Sequence, residues 1–119
     1  MGASGVLGHN AGCEYFKLDP HKIRFTQDSI KREFKNGKKL EDVVRDLRSG
    51  KISPDDFPPI RILEYNGNIY SLDNRRLKVF QDAGIKIKTK IVFMKDVERE
   101  FKRKFTTTTG GYTIKVRGK

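Results

Sequence analysis

The sequence predicts an α+β domain in which a small mixed sheet, containing one β-hairpin, is packed by helices. Three observations carry that expectation. Within the stretch from Ile60 to Leu77, Asn66-Gly67 joins two short apolar-alternating runs, and Asn-Gly suits a two-residue turn with positive φ at both positions. Leu40, Val43, Val44 and Leu47 repeat at helical spacing and stop at Gly50. Ile85, Ile87 and Ile91 alternate with Lys86, Lys88 and Lys90, the pattern of a half-buried strand with its lysines on the wet face. The expected order is strand, helix, hairpin, helix, strand, helix, strand, with no repeat and no linker.

Taken in order, residues 1–14 are rich in glycine and small residues and read as a flexible lead-in. His9 and Cys13 cannot complete a zinc site, because His21 is the only other histidine and there is no second cysteine. A lone cysteine also excludes an intramolecular disulfide. Pro20 precedes a strand expected at Lys22 to Phe25, followed by the polar cluster Thr26, Gln27, Asp28 and Ser29, of a type that caps helices or forms turns. The helix ending at Gly50 comes next. Ser53-Pro54-Asp55-Asp56 then gives a short helical turn, and Pro58-Pro59 forces an extended approach to the hairpin. Beyond the hairpin, Asp73 or Asn74 caps a helix with Leu77, Phe80 and Ala83 on its inner face and Gly84 as its stop. Val97, Phe101 and Phe105 mark a last helix, and the final residues, from Tyr112, read as a closing strand.

The 119 residues suit one domain, and a formal net charge of +11 makes nucleic acid the leading partner class. Residues 86–119 hold eleven Lys or Arg against three Asp or Glu, so the positive charge is concentrated in the last third. Lys86, Lys88, Lys90, Lys102, Arg103 and Lys104 are its candidate nucleic-acid contacts. No apolar run approaches the roughly 20 residues of a spanning helix, and the first residues do not form a signal peptide.

The sharpest chemical signal is Arg75-Arg76 in the first turn of a helix. Cations are disfavoured there by the helix dipole, and a bound phosphate would explain them, since free N–H groups and guanidiniums together hold an anion. Phosphodiester cleavage would also need a group that activates a nucleophile. The candidates are His21 as acid or base, Asp28 and Asp73 as bases or as ligands of a divalent metal such as magnesium, and Gln27 and Ser29 as positioning groups. The alternative is that Asp28 and Asp73 cap helices and pair with lysines, and that His21 is an exposed loop residue.

The stretch from about Tyr15 to Phe93, including PPIRILEYNGNIYSLDNRRLKVFQDAGI, resembles the ParB-like/sulfiredoxin-like domain family. The resemblance implies that fold for residues 15–93, with residues 94–119 packed on the same domain as a basic helix and strand. In that family the turn after the hairpin carries a phosphate-gripping box, which matches Asp73-Asn74-Arg75-Arg76 here. It thus implies phosphate contacts from Asn74, Arg75 and Arg76. Asn74 stands where sulfiredoxins have their cysteine, so sulfinic-acid reduction does not carry over, and the ParB glutamate is also missing. More narrowly, the segments DPHKIRFTQDSI and KFTTTTGGYTIKVRGK resemble C-terminal toxin domains of bacterial polymorphic toxins of Rhs or contact-dependent type. That implies a nuclease delivered as part of a larger, secreted toxin, acting on nucleic acid, DNA ahead of RNA, in the target-cell cytoplasm, with a cognate immunity protein. A non-catalytic nucleotide- or DNA-binding module, and an effector that modifies a nucleotide or protein, are the competing readings.

Overall fold

The computed structural model describes residues 15–118, so the expected lead-in, with His9 and Cys13, lies outside the described residues. The chain runs β1 (Phe16–Leu18), a 3-10 turn (Pro20–Lys22), β2 (Arg24–Phe25), β3 (Ser29–Ile30), α1 (Leu40–Ser49), a second 3-10 turn (Pro54–Asp56), β4 (Ile60–Tyr65), β5 (Asn68–Ser71), α2 (Asn74–Ala83), β6 (Ile87–Ile91), α3 (Met94–Lys104) and β7 (Lys115–Val116). Five strands form a mixed sheet in the order β1-β6-β4-β5-β2, while β3 and β7 make a separate parallel pair. This is the α+β architecture, with hairpin and packed helices, that the sequence predicts.

The hairpin closes as expected, with φ of 51° at Asn66 and 79° at Gly67 between the paired residues Tyr65 and Asn68. Helices α1 and α2 each end on a left-handed glycine, Gly50 and Gly84, whose N–H bonds back into the last turn. Both faces of the sheet are covered. Ile60 and Ile62 of β4 join Val43 and Leu47 of α1 and Leu77 and Phe80 of α2 in one cluster. Leu63, Tyr70 and Leu72 pack with Phe101 of α3 in the second, where Tyr65, Tyr70, Phe101 and Phe105 have neighbouring ring centroids 4.9 to 6.1 Å apart.

Three expectations are corrected. Lys22 belongs to the 3-10 turn, because the Asp19 carboxylate accepts the His21 N–H at 2.9 Å and bends the chain there, leaving only Arg24 and Phe25 as strand. The first strand of the sheet is β1, which pairs antiparallel with β6 and whose three residues, Phe16, Lys17 and Leu18, alternate over too short a run to mark a strand. The closing strand is two residues long and pairs with β3 instead of joining the main sheet.

The tail docks by close backbone approach: Gly111 O accepts the Phe25 N–H at 2.9 Å, and Gly111 has φ of 82°. A Cβ there would lie 2.6 Å from Phe25 O and 2.8 Å from Arg24 Cβ. Gly111→Ala should therefore lower unfolding free energy by at least about 2 kcal/mol in urea denaturation, from positive-φ strain and the clash with backbone.

Candidate functional site

The site grows from the junction between β5 and α2. Ser71 Oγ accepts the Asp73 N–H at 2.9 Å, which fixes the turn, and Asp73 occupies the N-cap position of α2. Its carboxylate does not cap the helix. It accepts instead from Arg61, through the backbone N–H at 2.8 Å, Nε at 3.1 Å and Nη2 at 2.8 Å, and pairs with Arg76 Nη2 at 3.3 Å. The first-turn N–H groups of α2 are thus left without a side-chain cap.

Arg61 is the centre of this arrangement. Besides Asp73 it grips Glu100 of α3 in bidentate fashion, at 2.7 Å from Nη1 and 2.8 Å from Nη2, and Lys104 Nζ adds a contact to Glu100 at 2.9 Å. These bonds raise the Arg61 pKa, with Asp73 the larger cause and Glu100 the next. The Arg61 hydrogen bond holds the Glu100 carboxyl down at about 2. Burial pushes the Asp73 carboxyl up, but its bonds to Arg61 and the Arg76 charge outweigh that and leave it below the usual range.

The two arginines of α2 differ. Arg76 donates to Pro58 O at 2.7 Å and is held against Asp73, so it ties the helix start to the proline segment, while burial lowers its pKa. Arg75 is half-buried, donates one Nη1 bond to Glu33 O at 2.7 Å and lies 5.9 Å over the Phe34 ring. Both border a cleft of about 790 Å³, whose lining includes eight basic side chains against three acidic ones. Three of the basic ones, Lys31, Lys35 and Arg103, have no hydrogen-bonding or ion-pair partner for their charged groups among the described residues.

The expected site residues fall in different places. Gln27, Asp73, Asn74, Arg75, Arg76, Arg103 and Lys104 line the cleft. Asn74 is a strut within it: only 3% exposed, it accepts the Thr26 N–H at 3.0 Å and donates to Thr26 Oγ1 at 2.9 Å and Gln27 Oε1 at 3.0 Å. That corrects its expected role as a phosphate contact, since its amide is engaged inside the protein. Asp28 and Ser29 border a separate depression of about 470 Å³, where Asp28 bonds to Thr106 Oγ1 and Ser29 accepts from Arg117. His21 borders a third, of about 420 Å³, with Nδ1 3.3 Å from Asp19.

A magnesium ion shared by Asp28 and Asp73 does not fit. Those carboxylates do not converge, both Asp73 oxygens face arginine, and among the described residues no three His, Cys, Asp or Glu side chains come together as a metal group. Lys86, Lys88 and Lys90 lie on or beside β6, outside the cleft; Lys86 and Lys90 are exposed, whereas Lys88 donates to Asp55 O at 3.0 Å. Lys102 is exposed and pairs with Glu98, and Lys104 is engaged with Glu100 and with Leu72 O at 2.7 Å. Sequence reasoning missed Arg61 and Glu100. The available signal was Arg61 itself, a guanidinium on the same strand face as Leu63 and Tyr65, where burial demands a carboxylate partner.

No protein-family model matches the chain, and no curated protein matches it. Among solved structures the chain is similar to sulfiredoxin from Arabidopsis thaliana, at 20% identity and a TM-score of 0.46, over 72% of this chain and 94% of that one. Among the described residues no helix is long and apolar enough to cross a membrane.

The Arg61 junction carries a pH signature. The folded pKa of Glu100 lies below its ordinary 4.5, so its contribution to stability is present above that value and is lost as the pH falls toward about 2. Glu100→Gln should flatten the acid limb of the stability curve between about pH 5 and pH 2, as read by thermal unfolding across pH, with the largest loss of stability at neutral pH.

Proposed function

We propose that this domain binds nucleic acid through its phosphates, seating a phosphate at the start of α2 with Arg75 and Arg103 as direct contacts. The observation that carries the reading is the unbalanced charge of the cleft, in which Lys31, Lys35 and Arg103 have no partner among the described residues. An anion relieves the mutual repulsion of those cations and satisfies the uncapped N–H groups of α2. Arg61 and Arg76 act differently, because their guanidiniums are committed to carboxylates and carbonyls and hold the wall in shape. Gln27, fixed through Asn74, offers a further polar group at the rim.

Binding is favoured over cleavage by the chemistry of the cleft. A hydrolytic reaction needs a base of suitable pKa within reach of the phosphate. Asp73 and Glu100 are held low by Arg61 and are weak bases, while His21 borders another depression. In the toxin reading that the sequence resemblance supports, the same cleft would engage nucleic acid inside a target cell and an acidic immunity protein would cover it. Expression in bacterial cytoplasm then arrests growth, and harmless high-level expression removes that reading while leaving the binding proposal intact.

Arg75→Ala should weaken binding of a labelled duplex at low salt about tenfold, on the scale of a lost charge-assisted contact, with stability lowered by about 1 kcal/mol for the exposed bond to Glu33 O. Arg76→Ala should instead cost about 1 to 3 kcal/mol of stability, since it strands Pro58 O and removes one partner of Asp73. Plasmid and total RNA incubated with the chain, with and without magnesium, should stay intact; nicking would overturn binding as the whole activity. Affinity unchanged by Arg75→Ala would remove the phosphate seat.

A further inference from the structure

We infer that the phosphate cleft continues into a second phosphate subsite at the threonine loop, so that the domain holds an extended nucleic-acid strand along a track instead of a single phosphate. This rests on the binding role proposed for the α2 cleft. The two depressions share a wall residue: Arg117 lines the cleft that Arg75 borders and also lines the depression formed by Thr107, Thr108, Thr109 and Lys115. Its guanidinium is positioned from β3, where Ser29 Oγ accepts from Nη1 at 3.1 Å, and the β3–β7 pairing sets Lys115 opposite Ser29.

The chemistry of the second depression suits a phosphate. Lys115 is exposed and its ammonium has no partner among the described residues. The loop beside it is rigid for its length, because Thr107 Oγ1 accepts the N–H groups of Thr109 and Gly111, at 3.3 and 2.9 Å, and Thr109 Oγ1 accepts the Thr113 N–H at 3.2 Å. Those bonds leave the exposed Thr108 hydroxyl without a protein partner among the described residues, as a donor at the rim. The carboxylate on this side, Asp28, is engaged by the Thr106 hydroxyl at 3.1 Å, and the two cations outnumber it. A strand whose phosphate is seated at α2 would run past Arg117 and place a later phosphate against Lys115.

The test separates the track from the seat. A phosphorylated dinucleotide, followed by NMR titration, reports the α2 cleft alone, whereas a labelled single strand of about 12 nucleotides, followed by anisotropy across salt concentrations, reports the whole path. Lys115→Ala, an exposed change at the second depression only, should leave the dinucleotide unaffected and weaken the longer strand, flattening its log-affinity against log-salt slope by about 0.7. Lys115→Ala with Arg117→Ala should flatten it by about 1.4. Unchanged affinity and slope for the longer strand in both variants would overturn the track while leaving the seat standing. Loss of dinucleotide binding in Lys115→Ala would also overturn it, by making the two depressions one site. A native chain that binds neither probe would overturn the phosphate seat itself, and the track with it.

Discussion

The cleft depends on one ion-paired junction, in which Arg61 from the middle of the sheet bridges Asp73 before α2 and Glu100 on α3. Arg61 is about one-third exposed, so each pair is partly desolvated and partly screened, and its value lies in geometry as much as in energy. A planar fork that satisfies two carboxylates at once fixes the angle between α2 and α3. The aromatic cluster of Tyr65, Tyr70, Phe101 and Phe105 holds α3 against the sheet from further along. Polar and apolar contacts therefore agree on a single position for α3.

That agreement decides which cations face solvent in the cleft. Arg61, Arg76 and Lys104 are engaged by protein oxygens, and they serve as walls. Arg103, one residue from Lys104, has no such acceptor among the described residues and is left to the cleft. A basic residue's role here follows from how fully protein acceptors engage its charged group, not from its place in a run of like charge: Arg75 makes one exposed bond, whereas Arg61 and Arg76 are each held by several. The three adjacent residues Lys102, Arg103 and Lys104 consequently do three different things.

Local signals in the chain were legible wherever the physics is local. Asn66-Gly67, Gly50 and Gly84 each require a positive φ that glycine or asparagine tolerates, and each marked its turn or helix end. The helical face through Leu40, Val43 and Leu47 was equally plain. The arginine pair of α2 was visible as an electrostatic oddity, but its division into Arg75 and Arg76 was not, because Pro58 lies 18 residues away from the arginine it binds. Arg61 and Glu100 are separated by 39 residues, beyond any periodicity. The polar cluster after β2 misled for a simpler reason: Gln27 turns toward the cleft while Asp28 and Ser29 turn toward the tail, so neighbours in sequence parted in space.

The parallel pairing of β3 with β7 has a consequence for biosynthesis. Residues near the beginning of the described chain wait for residues near its end, since β3 finds its strand partner only when Lys115 and Val116 have been made. A nascent chain translated through Ala83 already holds Arg75 and Arg76, yet it lacks Glu100, Arg103 and Arg117 from the surrounding walls. Ribosomes thus release the hairpin and α2 first and the electropositive enclosure last. Contacts of such long sequence separation form late and slowly, so the concave basic surface is completed only after the sheet beneath it.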